Sequence, residues 1–261
     1  MKKYTRIWIQ LLKNSFSSTL SNRIDSASYF FGKLIRFGFF WLLIISIFNF
    51  TETFAGYSTY QVLFFFLTFN LIDILGQIFF RGIYLFSSDV RKGNFDFTLT
   101  KPVPALFLTM SRLIDLLDII FILPIVGLLV YAGIQLPVTI TIGAILVYLF
   151  LVLLATVLSF TFHVIIAAAT IWSFENENFI WLYREAMTLG RLPPDIFPVL
   201  LQYILTYGIP IIVMIAYPVN ALFGLLSVGD MLFAGVITLL FIAVSLVLWK
   251  IALRSYSSAS S

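Results

Sequence analysis

Long apolar runs separated by short polar breaks dominate the chain. The first covers residues 29–50 and the second residues 59–80. A third covers residues 105–131, a fourth residues 139–172 and the last residues 230–251. About 20 consecutive apolar residues cross a bilayer as a helix, so each run predicts a membrane-spanning helix. The fourth is oversized. As one helix it is about 50 Å long at 1.5 Å per residue, against a hydrocarbon core of about 30 Å. It is expected to project into the cytoplasm and to turn at residues 173–178, SFENEN. Residues 1–21 carry a different pattern. Tyr4, Trp8, Leu11, Leu12 and Phe16 recur at helical spacing, while Lys2, Lys3, Arg6, Gln10, Lys13 and Ser17 take most of the other side. This predicts an amphipathic helix lying in the headgroup layer, with packing on the protein's own cytoplasmic side as the alternative.

Residues 179–226 have no single reading. Hydropathy picks 199–218 as a fifth span, but Gly208, Pro210 and Pro218 interrupt it. Proline inside a helix removes a backbone donor and clashes with the preceding turn. The alternative is a short fifth span at 179–192, followed by a re-entrant pair of helices within 191–228. That choice puts Arg184 and Glu185 inside a span, where each needs a partner or water.

Composition turns these patterns into a class. Apolar residues make up 61% of the chain and charged residues only 11%. Soluble domains have about 45–50% and about 25%, so an all-α integral membrane protein is expected, with residues 1–261 forming one membrane domain and no cleaved leader. With no cysteine, disulfides, thiol catalysis and cysteine-based metal sites are excluded. The net charge of +4 suits anionic lipid headgroups better than nucleic acid. Seven Lys or Arg precede the core of the first run and four lie in residues 81–104, but none lies in 51–58 or 133–138. The positive-inside rule then predicts a cytoplasmic N-terminus. Lys250 and Arg254 place the C-terminus there too, which requires an even number of spans.

Few residues are candidates for chemistry. Asn70, Asp73 and Gln77 share one face of the second span, where they either line a substrate path or form interhelical hydrogen bonds. Arg112 and Asp115, three residues apart, are expected to pair along the third span, and Asp118 lies one turn deeper without a local partner. His163 sits late in the fourth run; with one histidine in the chain, packing or a proton relay are its possible roles and a metal site is not expected. Gly32-Lys33-Leu34 lacks the upstream glycine of a phosphate-binding loop, and no hydrolase motif is present. No catalytic, cofactor or metal residues are assigned.

The polar segment 81–104, RGIYLFSSDVRKGNFDFTLTKPVP, carries the sharpest pattern. Arg91-Lys92-Gly93-Asn94-Phe95-Asp96, followed by Leu99-Thr100-Lys101-Pro102-Val103, resembles a motif of ATP-binding-cassette (ABC) exporter permeases of the type-2 class. The proline series Gly190-Arg191-Leu192-Pro193, Ile196-Phe197-Pro198, Gly208-Ile209-Pro210, Tyr217-Pro218 and Leu222-Phe223-Gly224 resembles the segment between the fifth and sixth spans of that class. The ending from Trp249-Lys250 through Arg254-Ser255-Tyr256-Ser257-Ser258-Ala259 resembles its C-terminus. The resemblance implies six spans, extracellular re-entrant helices and a bacterial inner-membrane location. It also implies a separate ABC ATPase subunit that carries ATP and Mg and docks on Arg91, Lys92, Gly93, Asp96, Lys101 and Pro102. A second permease chain, identical or homologous, would complete a path for export of a lipophilic or amphiphilic compound. Two other readings stay open: a proton-coupled secondary transporter using Asp73, Asp115, Asp118 or His163, and a membrane scaffold.

Overall fold

The computed structural model describes residues 2–136, 138–173 and 178–257. Most of the turn expected at 173–178 and the last residues of the tail therefore lie outside the described residues. Among these the chain is helical, with one isolated antiparallel bridge between Phe54 and Tyr57. In order come α1 (Lys2–Ser21), α2 (Arg23–Phe48), α3 (Thr59–Phe80), α4 (Ile83–Arg91), α5 (Asn94–Leu99) and α6 (Ala105–Ser111). There follow α7 (Leu116–Ile134), α8 (Ile142–Trp172), α9 (Asn178–Thr188), α10 (Val199–Tyr203), α11 (Ile211–Leu222) and α12 (Val228–Ser255). Among the described residues, five helices are long and apolar enough to cross a membrane, or six elements if the bent pair α10–α11 counts as one. The protein is an all-α integral membrane protein.

Apolarity all round a helix places it inside a bundle. In α3 every residue from Val62 to Phe69 is buried, and α2, α7, α8 and α11 pack around it. The partner pair α8 and α12 run side by side. Small or hydroxylated residues such as Ala155, Thr238, Ser245 and Ala252 are buried on them, and Phe162 meets Phe241 at 5.0 Å between ring centres. Small side chains let helices approach in the absence of a hydrophobic drive between them. By contrast α2 buries only Ile44 among its described side chains.

Contacts define two ends of the bundle. At one, the basic end, lie α1, α4–α6 and the last turns of α8 and α12. Lys3 donates to the Pro102 carbonyl at 2.8 Å, Trp172 Nε1 donates to Ser255 Oγ at 2.9 Å and Tyr256 reaches Asp96. The other end gathers the start of α3 and the end of α7, where Tyr60 faces Tyr131, and the loop residue Tyr57, which donates to Asp195 at 2.8 Å.

Two expectations need adjustment, and one of two open alternatives narrows. The third apolar run is not one helix from residue 105. It breaks at 112–115, because Asp115 caps a new helix with its carboxylate accepting from the Leu117 and Asp118 amides at 3.0 and 3.4 Å. Residues 199–218 are not one straight span, since the helices on either side of Pro210 lie at 97°. The N-terminal helix is amphipathic as read, but its Trp8 stacks on Phe79, its Tyr4 meets Phe107 edge-on and Ser15 Oγ accepts from the Ile114 amide. It packs against the bundle while Ile9, Phe16 and Leu20 stay exposed. The oversized fourth helix is as expected: α8 is one helix of 31 residues, about 46 Å long.

Candidate functional site

At the basic end, residues 81–104 form a folded platform. At its start the Gly82 backbone N–H donates to the Met110 carbonyl at 3.0 Å. A Cβ there would meet the Thr109 carbonyl oxygen at 2.0 Å, so only glycine allows this approach of the two backbones. Gly93 turns the chain from α4 into α5 with φ +71°, a region glycine enters without strain. Phe95 then points inward. It is buried and meets Phe86 edge-on at 5.0 Å and Tyr256 at 5.1 Å, with Trp249 beside it. Tyr256 donates to Asp96 at 2.9 Å. Burial, and then the negative Asp96 carboxylate that accepts its proton, push the Tyr256 phenol up to about 12. On the outer surface Arg91, Lys92, Lys101 and Pro102 are exposed, and Phe97 is 70% exposed.

Just inside the platform a charge cluster joins α2, α3 and α7. Arg81, following α3, lies 2.5 Å from Asp115 and 3.9 Å from Asp118, and donates to Tyr29 and Gln77 at 3.1 Å each. Lys33 of α2 forms an ion pair with the fully buried Asp118. Arg112, expected to pair with Asp115, instead pairs with Asp89 of α4. A spacing of three aligns two side chains only within one helix, and the cap at Asp115 starts a new helix there.

Deeper in the bundle, Arg184 of α9 contacts Asp73 at 3.2 Å and donates to the Tyr84 hydroxyl at 2.6 Å. Gln77 Nε2 donates to the same hydroxyl at 3.1 Å. His163 is buried with Nδ1 2.7 Å from the Ser159 carbonyl; the Nδ1–H therefore donates, and Tyr183 donates to Ser159 Oγ at 3.3 Å. Asn70 Nδ2 donates to the Phe66 carbonyl at 2.7 Å. A cavity of about 280 Å³ opens alongside. Lys33, Asp118, Asn70, Asp73 and Arg191 line it, with phenylalanines filling the wall between them. Thus Asn70, Asp73 and Asp118 share one space and Gln77 and His163 sit beside it. Asp115 serves as a helix cap, and Arg112 belongs to the platform.

Residues 34–260 match the family described as ABC-2 family transporter protein. The chain belongs to the ABC-2 transporter family. No curated protein and no solved structure matches it. In this ABC-2 permease the match begins inside α2, takes in α3 to α12 whole, and omits α1. Sequence reasoning named the carboxylates of the permease but missed their partners. In sequence Lys33 stands out only beside Gly32, in a string that is no phosphate-binding loop, and Arg81 only as the first residue of the polar segment. Their signal was simply that a cation stands at each end of an apolar run. The pairing itself is set by which helices meet. In sequence Arg191 is one member of a proline-rich string, although a cation there, next to apolar helices, is itself a marker of an unusual site.

Proposed function

We propose that this ABC-2 permease is the membrane-spanning subunit of an exporter driven by a separate ATPase that docks on residues 81–104. The observation that carries the reading is the platform. It is a compact surface presenting Arg91, Lys92, Phe97 and Lys101 outward, and it is tied by Phe95 and Asp96 to the end of α12. A push on such a surface reaches a crossing helix instead of being lost in a flexible loop. ATP and Mg would be held by the partner, and closure of two ATPases would favour one arrangement of the permease by making better contacts with it. The cavity beside Asn70, Asp73 and Asp118 would belong to the cargo path. A second permease chain would face it, in a bacterial inner membrane with both termini cytoplasmic.

In this reading α9 and the turns up to Asp195 make the fifth crossing, and α10–α11 is a re-entrant pair on the outer side. Its support is that Asp195 bonds Tyr57 before the pair begins, and Phe223, just after it, packs on Phe64 and Phe65 near the start of α3. Proton carriage is less well supported, since Asp73, Asp115 and Asp118 each face a cation. The test is purification of the tagged permease from gently solubilised membranes. The unaltered chain should bring down a stoichiometric ATPase subunit. Phe97→Asp and Lys101→Glu should release it while the permease stays monodisperse. Undiminished ATPase recovery with both variants would remove the docking assignment.

A further inference from the structure

The cavity between α2, α3 and α7 has a charge imbalance that the ion pairs do not use up. Three cations, Lys33, Arg36 and Arg191, and two carboxylates, Asp73 and Asp118, line it. Asp118 is taken by Lys33 and Asp73 by Arg184. Among the described residues, no carboxylate lies within ion-pair distance of Arg36 or Arg191; Asp73 and the exposed Glu185 reach Arg191 only at longer range. Arg191 stands over the faces of Phe69 and Phe40, at 4.8 and 5.8 Å from the ring centres. Ring faces attract a cation but accept little hydrogen bonding. Its Nε is buried with no acceptor among the described residues.

Depth sharpens the anomaly. Phe69 precedes Arg81 by twelve residues, about 18 Å along α3 at 1.5 Å per residue. Arg191 therefore lies deep in the bundle, well away from the interfacial cluster at Arg81. An unpaired cation at such depth is costly and marks a pathway or ligand site. Arg36 lies about 4.5 Å beyond Lys33 along α2 and faces the same space. The wall is Phe37, Phe40, Phe66 and Phe121. The lining residue Phe39 is 68% exposed on the uncovered side of α2, so the cavity opens sideways, where lipid would be.

We propose that this cavity takes an amphiphile with one anionic headgroup, a carboxylate, sulfate or phosphate, whose oxygens lie between Arg36 and Arg191. Its chain lies along the phenylalanine wall, and it arrives from the membrane through the opening beside Phe39. That this ligand is cargo rests on the permease reading. The anion preference does not. A planar guanidinium supplies several donors in a fixed fork that matches such oxyanions. The volume is just below the usual range of small-ligand pockets, about 300–1,000 Å³. It therefore holds the headgroup and the first part of the chain and leaves the rest in lipid.

The test uses the purified full chain in phosphatidylcholine nanodiscs, without ATPase, and dansyl-undecanoic acid as the fluorescent probe. Dodecyl phosphate should displace the probe at concentrations at least tenfold below dodecyl maltoside or dodecyltrimethylammonium. Arg36→Gln with Arg191→Gln should weaken probe binding at least tenfold. The Arg36→Lys, Arg191→Lys pair, which keeps the charge but loses the fork, should fall between the unaltered chain and the double-glutamine variant, and Lys250→Gln should keep all of it. Equal displacement by the three competitors would overturn the proposal. So would unchanged binding in a monodisperse double-glutamine variant. If that variant does not fold, the competitor series on the unaltered chain decides alone. Loss of probe binding when phosphatidylglycerol replaces phosphatidylcholine would assign the site to resident anionic lipid and overturn the cargo proposal. Failure of ATPase recovery in the separate purification would overturn the exporter reading and leave the anion preference standing.

Discussion

An ionised side chain inside a membrane bundle is held by whatever faces it, and Asp73 with Arg184 is the clearest case. The two meet at 3.2 Å across α3 and α9. Removing one strands the other. Arg184→Met alone should lower stability by about 3 kcal/mol, toward the low end for broken buried pairs because both side chains keep some exposure. Asp73→Leu combined with Arg184→Met should recover most of that loss, since an apolar pair leaves no uncompensated charge. Thermal unfolding of the detergent-solubilised variants reads both. Gly82→Ala makes a sharper demand. A Cβ at 2.0 Å from the Thr109 carbonyl requires the backbones of α4 and α6 to separate, so this single methyl should destabilise the protein more than Gly127→Ala, where a Cβ meets nothing within 4 Å. Comparable melting of the two variants would contradict the close approach. At this scale the sequence announced which residues are charged in the membrane but not whom they meet. Arg112 and Asp115 stand at pairing distance on a helix, yet an aspartate directly before an apolar run is also a helix start, and capping won.

Short elements depend on their anchors. With six residues α5 is far below the length at which a helix persists alone. Phe95, 1% exposed between Phe86 and Tyr256, holds it. Phe95→Ala should cost about 3–5 kcal/mol and speed tryptic cleavage after Arg91 and Lys92, just before α5, without altering cleavage in the first turn of α1. Tyr256 contributes a second anchor, and its pH dependence has a definite sign. Its phenol is raised in the folded protein to about 12, so the contribution is whole below the ordinary tyrosine value of about 10 and fades as pH climbs from there through 12. Tyr256→Phe should therefore increase tryptic cleavage after Arg91 and Lys92, beside α5, by the same factor throughout about pH 6 to about 9. A factor that changed within that window would mean another group controls the contact. Among the elements, the long helix α8 was legible because its apolar run has no interruption. The third run was not, because α6 and α7 are both apolar and the break between them is a cap rather than a glycine or proline. Pro210 did mark the corner between α10 and α11, but hydropathy alone does not tell whether a bent pair crosses or returns.

The arrangement of the whole chain turns on that question. A type-2 permease with both termini on one side needs an even number of crossings, and the five long helices α2, α3, α7, α8 and α12 supply an odd number. Something between Trp172 and Val228 must cross once more. Either α9 with the turns up to Asp195 does so and the bent pair returns, or α10–α11 crosses and α9 stays at the basic end. The contacts of Asp195 with Tyr57 and of Phe223 with Phe64 and Phe65 favour the first. The absence of cysteine makes the experiment direct, because single cysteines can be placed without first removing any. Glu52→Cys, Asp195→Cys and Ser227→Cys should react with an impermeant maleimide from one face of sealed vesicles. Lys92→Cys and Ser257→Cys should react only from the other. If Asp195→Cys instead labels with Lys92→Cys, α10–α11 is the crossing, the re-entrant pair does not exist, and Arg191 sits near the basic end rather than deep in the bundle. That result would also remove the depth argument for the anion site, whereas labelling of Asp195→Cys with Ser227→Cys supports both.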